Sequence, residues 1–261
     1  MSGSVSRRDF VKAGAAVGAG LVVATQLQGC GKQGPPATDA AFAPNAWVRV
    51  NTDGSVIVEV DRSEMGQGVS TALPMLVAEE LEADWSTVRY AYASAHPAYA
   101  NKLSQNMQLT GGSTAVPNGW VPLRLAGAAA REMLVAAAAA RLGVDAAACR
   151  AEQGRVHHDA SGRSFGYGEL AADAARQAVP ASPRLKDPRD WKLIGKPLPR
   201  LDAPQVVRGE ALFATDVRVP GMLVASVERC PVFGGTLTSF DDAKAKAVPG
   251  VRAVVQVTGG V

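Results

Sequence analysis

A short glycine turn in the first third of the chain has the residues needed to bind an anionic or electron-rich group. The turn is Gly66-Gln67-Gly68, and a helix is predicted to start directly after it. Glycine lets backbone N–H groups approach a ligand closely, and the helix start adds the positive end of its dipole. Gln67 offers both a donor and an acceptor, and Thr71 adds a hydroxyl one turn into the helix. Similar turns precede many ordinary helices, so the pattern alone identifies no ligand.

A second glycine turn, Gly111-Gly112-Ser113-Thr114, precedes another predicted helix. Its hydroxyls and backbone N–H groups suit an anion, although simple capping of the helix by Ser113 explains them equally well. Two anion-competent helix starts in one domain, behind the export signal described below, favour a large phosphorylated cofactor.

Other polar residues do not form a recognisable catalytic set. Glu79 and Glu80 are adjacent on a predicted helix and are expected on its solvated face rather than as an acid–base pair. His157 and His158 are neighbours in a predicted strand, so they point to opposite faces. The sequence has no Cys-x-x-Cys, His-Glu-x-x-His or Ser-His-Asp arrangement, which argues against a metal bound by protein side chains and against a nucleophilic triad.

The elements that would position both turns follow from hydrophobic periodicity and turn residues. Two β-prone runs flank Asn51–Gly54 and predict a hairpin. Helical spacing of apolar residues predicts a helix over Val69–Ala83, capped by Ser70 or Thr71. The other predicted elements are a strand at Val88–Tyr92, a helix at Leu123–Leu142, a strand and turn at Val156–Ser164, a helix at Tyr167–Ala178, strands at Met222–Val227 and Val251–Val257, and a helical turn at Asp241–Ala247. Together they predict a mixed α/β (α+β) fold with helices packed on small, largely antiparallel sheets.

The N-terminus has the pattern of a bacterial export signal. Ser6–Lys12 follows the frame S-R-R-x-F-x-K of a twin-arginine signal, which serves proteins that are exported after folding around a cofactor. The apolar run Ala13–Ala24 is too short and too glycine-rich to span a bilayer, which takes about 20 apolar residues. Leu27–Cys30 resembles a lipobox, so Cys30 is predicted to carry a lipid; ordinary cleavage nearby, with Cys30 an incidental thiol, is the alternative. We therefore expect a periplasmic protein exported by the twin-arginine machinery, with or without a lipid tether to the membrane.

The composition is that of an ordinary folded protein. Hydrophobic residues make up 47% of the chain and the net charge of +3 includes the basic leader, so nucleic acid is not an expected partner. Cys149 and Cys230 are expected to be buried, apolar-like residues, since a disulfide between them is only weakly indicated. The proline- and charge-rich stretch 180–204 predicts a linker or an extended crossing segment.

Longer runs around the two turns carry a family resemblance. The runs are Glu64–Thr71 with Val77–Leu81, then Gly111–Thr114 with the alanine-rich helix, then Ile194–Pro197, Arg200–Asp202, Gly209, Asp216, Pro220–Leu223 and Val248–Val251. In this order they resemble the pterin-contacting segment, the segment after it, and the start of the α/β hammerhead domain in molybdenum hydroxylases of the xanthine dehydrogenase and aldehyde oxidase family. Within that family, the order is similar to that of the branch formed by isoquinoline 1-oxidoreductase β-subunits.

The resemblance implies a domain organisation. It comprises a twin-arginine signal (1–30), a tether (31–44), a partial molybdopterin-binding domain (45–180), a linker (181–204) and the start of a truncated α/β hammerhead domain (205–261). The cofactor-binding residues that it implies are Gly66, Gln67, Gly68, Thr71, Gly111, Gly112, Ser113 and Thr114. The family's catalytic glutamate is expected beyond Val261, so no catalytic residue is assigned and the chain by itself is expected to be inactive.

The resemblance also implies chemistry. The cofactor is molybdenum on molybdopterin, expected as the cytosine dinucleotide in a bacterium, and its dithiolene holds the metal in place of protein thiolates. Such enzymes hydroxylate an aldehyde or an electron-poor N-heterocycle with oxygen from water, and electrons leave through a small [2Fe–2S] partner subunit. Two alternatives stay open: a lipid-tethered periplasmic module that binds a ligand without catalysis, and the degenerate product of a broken gene.

Overall fold

The computed structural model of the protein describes residues 21–24 and 46–261. The twin-arginine motif Ser6–Lys12, the lipobox cysteine Cys30 and the tether 31–44 lie outside the described residues. The described chain divides into two compact units, the first ending at Ala211 and the second spanning Leu212–Val261.

A four-stranded sheet forms one layer of the first unit. Its strands are β1 (Leu21–Ala24), β2 (Ala46–Val50), β3 (Val56–Val60) and β4 (Val88–Tyr92), in that order across the sheet. The predicted hairpin is confirmed, because β2 and β3 pair antiparallel around Asn51–Gly54 and Gly54 adopts a φ of 86°. β1, the end of the predicted apolar leader run, pairs antiparallel with β2, whereas β3 and β4 are parallel.

Helix α1 (Val69–Leu81) connects β3 to β4, which makes a βαβ unit. The predicted helix is confirmed, but neither Ser70 nor Thr71 caps it. The N-cap residue is Gly68, which adopts a left-handed conformation with a φ of 82° and has no side chain with which to cap the helix. Glycine suits this position because a Cβ is disfavoured at positive φ.

Helix α2 (Ala115–Leu142) is the longest element and packs across α1. It begins at Ala115 rather than at the predicted Leu123, because the proline at position 122 is tolerated inside the helix. The two helices meet closely at Gly127, where an added Cβ would lie 2.4 Å from the carbonyl oxygen of Val77. Across residues 21–24 and 46–261, no helix has the length and apolar character needed to cross a membrane.

A second, three-stranded antiparallel sheet and a short helix complete the core of the first unit. The strands are β5 (Arg150–Glu152), β6 (Arg155–His158) and β7 (Arg163–Gly166), and helix α3 (Tyr167–Ala174) follows directly. The buried Tyr167 fixes this layer to α1, since its hydroxyl donates to the carbonyl oxygen of Leu81 at 2.6 Å. Short 3-10 turns occur at Trp85–Thr87, Pro97–Tyr99, Ala146–Ala148, Asp159–Ser161 and Pro188–Asp190.

Residues 184–202, called the strap below, run along the first unit and are followed by helix α4 (Ala203–Val207). Arg184 and Lys186 donate backbone N–H groups to carboxylates of α2 and α1, and Leu201 donates its N–H to Thr71. The strap therefore packs against the first unit, and its course is interrupted by the 3-10 turn at Pro188–Asp190.

The second unit contains only helix α5 (Ala243–Lys246) and a 3-10 turn at Ala214–Asp216. The strands predicted at Met222–Val227 and Val251–Val257 do not form; Val224 is 88% exposed, and the only pairings described there are the bridges of Gly260 with Arg229 and Val257. A strand needs hydrogen-bond partners on at least one edge, and the described residues of this unit offer these runs almost none. The mixed α/β class holds, and the hammerhead assignment stays a prediction.

Candidate cofactor site

The two glycine turns lie side by side at one end of the first unit. The first turn, Gly66–Gly68, precedes α1 and the second, Gly111–Thr114, precedes α2. The backbone N–H of Ser63 donates to the Thr110 hydroxyl oxygen at 2.9 Å and ties the approaches to both turns together. The N-terminal ends of two packed helices, with their partial positive charges, therefore lie close to each other.

Three backbone N–H groups at the first turn and the start of α1 already have an acceptor within the protein, which changes how this turn can bind a ligand. Both carboxylate oxygens of Glu64 accept from them: Oε1 from Gly66 and Gly68, and Oε2 from Ser70, each at 2.9 Å. The Ser70 hydroxyl also donates to Oε2, at 2.8 Å. A side-chain carboxylate thus occupies the position at the start of α1 that an external anion would take.

The polar side chains of the first turn also have partners within the protein. Gln67 accepts from the Met65 N–H at 2.7 Å through Oε1 and donates to the Ser63 carbonyl oxygen at 2.9 Å through Nε2. Gln67 is exposed, and its amide has a second N–H beyond this donation. Thr71 is buried, and its hydroxyl oxygen accepts from the Leu201 N–H at 2.9 Å. Gln67 therefore faces solvent, whereas Thr71 ties α1 to the strap.

The second glycine turn leaves the start of α2 uncapped. Gly112 and Ser113 both adopt left-handed conformations, with φ of 61° and 53°. The Thr114 hydroxyl donates back to the Gly111 carbonyl oxygen at 2.9 Å, and no side chain caps the helix. The first N–H groups of a helix have no partner within the helix, and because residue 117 is a proline, this end of α2 offers those of Ala115 and Val116. No carboxylate is shown on these two, so this is the better anion-binding position of the two.

One arginine of the strap reaches the first glycine turn. Arg200 forms a two-pronged ion pair with Asp202, with Nε–Oδ1 of 2.8 Å and Nη2–Oδ2 of 2.6 Å. The same guanidinium donates to the Gly66 carbonyl oxygen at 3.1 Å and lies 3.3 Å from Oε1 of Glu64. The strap therefore contributes directly to the conformation of this turn.

A family comparison covers the part of the chain that contains both turns. The family of the molybdopterin cofactor-binding domain matches residues 5–200, which include both glycine turns and nearly all of the strap. The chain belongs to the xanthine dehydrogenase family of molybdenum hydroxylases. Its relatives are oxidoreductases, so the chain is a member of an enzyme family.

Several relatives match most of the length of this chain. It is 40% identical to the isoquinoline 1-oxidoreductase β-subunit of Brevundimonas diminuta over 85% of this chain and 33% of the relative. It is 33% identical to the membrane-bound aldehyde dehydrogenase [pyrroloquinoline-quinone] of Gluconacetobacter polyoxogenes over 95% of this chain and 32% of that protein. It is 31% identical to a nicotinate dehydrogenase subunit of Pseudomonas putida over 81% of this chain and 18% of that protein. The chain thus spans a third or less of these relatives.

The Glu64 carboxyl is held in its ionised form. Burial raises its pKa, but the hydrogen bonds from Ser70, Gly68 and Gly66 outweigh this effect and leave the pKa below the usual value of 4.5. The hydrogen-bonded guanidinium of Arg200 likewise lowers the pKa of Asp202. Both carboxylates are therefore anions at neutral pH, and each is tied to the first turn or to its arginine.

The first glycine turn is expected to open only in acid. A carboxyl whose pKa is lower in the folded than in the unfolded protein stabilises the folded state. This stabilisation is complete above the pKa of the unfolded protein and is lost as the pH falls through the pKa of the folded protein. We expect the amide resonances of Gly68 and Ser70 in NMR spectra to shift with a midpoint below pH 4.5. Arg200, Asp202, Tyr90 and Tyr92 are the other titratable groups that interact with this carboxyl or its partners.

The control for this titration is Glu64→Gln, which keeps one amide acceptor and removes the charge. We expect the acid transition of Gly68 and Ser70 to be absent in this variant, while amides in the middle of α2 report whether the whole fold persists. A transition above pH 4.5, or one that persists in the variant, means that another group controls the turn.

Glu79 and Glu80 are buried, so their predicted place on a solvated helix face is wrong. Oε2 of Glu79 accepts hydrogen bonds from the backbone N–H groups of Lys192, Leu193 and Ile194 at 2.9, 2.6 and 3.0 Å. The same carboxylate forms an ion pair with the Lys186 ammonium. Burial raises the pKa of Glu79, yet these hydrogen bonds leave it lower than usual. Glu79 thus holds the strap in place, through residues that lie 113 to 115 positions later in the chain. Glu79 and Glu80 are together called the clamp below.

Glu80 forms the second half of this clamp. Its side chain has an exposed fraction of 0% and accepts from Arg124 Nε at 2.8 Å and from the Lys186 backbone N–H at 2.9 Å. The Arg124 guanidinium contacts two indole rings, 5.2 Å from the centroid of Trp120 and 5.2 Å from that of Trp191, and the two rings meet edge to face. Through these contacts α1 and α2 hold the strap, and the strap carries Arg200 to the glycine turn.

A large cleft lies away from the glycine turns. It has a volume of about 1250 Å³, and none of its lining residues belongs to either turn. Its lysines are already paired, with Lys186 at 2.7 Å and Lys192 at 3.0 Å from the carboxylate of Glu82. The glycine turns therefore stay the candidate site, and this cleft contributes no residue to it.

The remaining candidates from the sequence add no metal site. Within the described ranges, no three side chains of His, Cys, Asp or Glu converge as metal ligands would. Cys149 is half-buried and Cys230 exposed, both as free thiols, so the expectation that both are buried is wrong for Cys230. His158 has a local partner, the Ser161 hydroxyl at 2.7 Å from Nδ1.

Sequence reasoning missed the roles of Glu64, Arg200 and Asp202. All three were part of the family resemblance, but no function followed from their positions. One signal was available: the Arg-x-Asp spacing of Arg200 and Asp202 matches a local two-pronged ion pair. The contact with Glu64 left no local signal, because the partners are far apart in the chain.

Proposed function

We propose that this chain forms one wall of a molybdopterin site in an oxidoreductase that hydroxylates an aldehyde or an electron-poor N-heterocycle with oxygen from water. The observation that carries the proposal is the hydrogen bond from Ser63 to Thr110, because it brings the two glycine turns and the starts of α1 and α2 together. Family membership supports the cofactor. The names of relatives, which include an isoquinoline, a nicotinate and an aldehyde enzyme, support the substrate class.

The donors at this site fit such a cofactor in part. The uncapped start of α2 suits an anionic group, and the exposed amide of Gln67 suits the polar edge of a pterin. Open space at Gly66 and Gly68, where an added Cβ would touch nothing within 4 Å, lets a ligand approach the backbone of the first turn. The Glu64 carboxylate already takes the amides of that turn, so we assign the anionic part of the cofactor to the second turn.

When bound, the cofactor supplies the metal centre at which the substrate is oxidised. In our proposal the residues of this chain bind and orient the cofactor and carry no proton in the reaction. The proposal assigns the catalytic base to a glutamate outside these 261 residues and the electrons to a [2Fe–2S] partner subunit. It also includes the cytosine dinucleotide form, export to the periplasm by the twin-arginine route and a lipid on Cys30.

Cofactor analysis of the protein purified from its native host tests the proposal. We expect about one molybdenum per large subunit and release of a cytosine nucleotide on acid hydrolysis, from a species longer than this chain. A purified protein without molybdenum or pterin contradicts the assignment. Molybdopterin without the cytosine nucleotide contradicts only the dinucleotide form.

A single added charge at the second turn distinguishes cofactor binding from a structural role. Ser113 is exposed and adopts a left-handed conformation that aspartate tolerates. A negative charge at a helix start stabilises the helix, so Ser113→Asp is expected to leave the melting temperature unchanged or higher. The same charge repels an anionic cofactor by about 1 kcal/mol, so the molybdopterin content is expected to fall about fivefold.

The matched control is Ser113→Asn, which has a similar size and the same backbone tolerance but no charge. We expect its cofactor content to equal that of the wild type. If Ser113→Asp carries a full complement of molybdopterin, the second turn is not where the anionic part binds.

A further inference from the structure

The guanidinium of Arg200 contacts the first glycine turn through the Gly66 carbonyl oxygen and the Glu64 carboxylate. Its side chain is 41% exposed, whereas the Glu64 and Asp202 side chains beside it are only 9% and 6% exposed. Nη2 lies 2.6 Å from Asp202 and 3.3 Å from Glu64, so one cation serves both carboxylates. Without it, two poorly solvated like charges would lie close together.

The same side chain also fixes the backbone of the turn. Nη1 donates to the carbonyl oxygen of Gly66 at 3.1 Å, while the N–H groups of Gly66 and Gly68 donate to Glu64. Both faces of the turn are thus held by one connected set of charged hydrogen bonds. Charge-assisted hydrogen bonds of this kind are about twice as strong as neutral ones, and the planar fork of arginine suits several acceptors at once.

The position of Arg200 is itself determined elsewhere in the first unit. The next residue, Leu201, donates its N–H to Thr71 in α1, and the strap is held further back by Glu79 and Glu80. The side chain thus arrives at the turn from a segment that the domain core holds in place.

We propose that Arg200 is a positioning residue for the cofactor. It neutralises Glu64 so that this carboxylate stays on the amides of the first turn, and it ties Gly66, which keeps Gln67 directed outward toward the ligand. The inference rests on the proposed function, because the ligand is the molybdopterin assigned above. Arg200 does not itself need to contact the cofactor.

Hydrogen–deuterium exchange on the 261-residue chain tests the structural half of this proposal. In Arg200→Ala we expect the amides of 63–71 to exchange about tenfold faster than in the wild type, because the turn loses its charged hydrogen bonds. Arg200→Lys keeps the charge but not the fork, so an intermediate rate is expected. Peptides from the middle of α2 should be unchanged, which shows that the variants are folded.

Arg208→Ala is the matched control. Arg208 forms a similar two-pronged ion pair with Glu210, two residues away, at 2.7 Å for both contacts, but it does not touch the turn. We expect its exchange pattern in 63–71 to equal that of the wild type. Equal exchange in Arg200→Ala and the wild type overturns the proposal.

The molybdopterin content of the same variants, purified from the native host, tests the functional half. We expect a severalfold loss in Arg200→Ala, partial recovery in Arg200→Lys and no loss in Arg208→Ala. Full cofactor content in Arg200→Ala, despite faster exchange of the turn, overturns the role in positioning. A wild-type protein without pterin instead contradicts the proposed function, and the exchange data then decide alone whether Arg200 orders the turn.

Discussion

Replacing Glu80 by alanine is expected to lower the free energy of unfolding by about 3–5 kcal/mol, because it leaves a buried arginine without its counter-charge. Arg124 is itself buried, donates to this carboxylate through Nε, and contacts the rings of Trp120 and Trp191. The same carboxylate accepts the backbone N–H of Lys186, so the substitution also frees the middle of the strap. Urea unfolding followed by tryptophan fluorescence measures the loss.

Two further variants show whether the charge or the shape of Glu80 is responsible. Glu80→Gln keeps the shape and one acceptor, so it is expected to lose less stability than alanine does. Glu210→Ala removes an exposed ion pair and is expected to leave the unfolding curve unchanged. A loss in Glu80→Ala no larger than that in Glu210→Ala would falsify the view that this carboxylate clamps the strap.

Gly127→Ala is expected to destabilise the protein by about 1–3 kcal/mol through overpacking, although alanine is the better helix former by about 1 kcal/mol. Its Cβ would lie 2.4 Å from the Val77 carbonyl oxygen and 3.0 Å from the Glu80 Cβ, so α1 and α2 must separate. The obstacle is backbone, which cannot move aside as a side chain does. Thermal unfolding of the purified variant provides the measurement.

The same substitution at Gly119, in the same helix, is the control. There an added Cβ would meet only the ends of two leucine side chains, Leu123 at 3.0 Å and Leu73 at 3.2 Å. These ends are flexible, so Gly119→Ala is expected to cost clearly less than Gly127→Ala. Equal melting temperatures for both variants contradict the close helix crossing as the cause.

Glu80 and Gly127 belong to the same junction, where α1 meets α2 and the strap. Glu80 binds the strap on one side of α1, and Gly127 lets α2 approach α1 closely enough for Arg124 to reach that carboxylate. Because the strap ends in Arg200 and Asp202, a change at this junction is expected to reach the first glycine turn as well. We expect that turn to exchange amide hydrogens faster in the variants that loosen the junction.

Elements whose signals are local followed directly from the sequence. The hairpin around Asn51–Gly54, helix α1 and strand β4 lie where turn residues and hydrophobic periodicity predict them. Such signals come from residues at most a few positions apart, so the elements can be predicted without knowledge of the rest of the fold. The family, too, was evident from the order of short motifs, and its domain match confirms it.

The strands predicted in the second unit show the opposite case. Their sequences have β propensity, but a strand exists only where another strand supplies hydrogen bonds. The described residues of Leu212–Val261 supply only isolated bridges, so propensity alone predicts the wrong structure there.

The candidate site likewise has features that the sequence predicts and features that only the tertiary structure reveals. Sequence patterns by themselves indicated two glycine turns at helix starts, and together with the export signal they predicted a large phosphorylated cofactor. Only the tertiary structure decided that Glu79 and Glu80 are buried and that Arg200 reaches the first turn; the contacts of Glu64 with that turn are local, over two to six residues, but the sequence pattern did not reveal them. The physical reason is that a polar side chain is expected on the surface unless a partner compensates its burial, and Glu79, Glu80 and Arg200 each have a partner more than a hundred residues away in the chain.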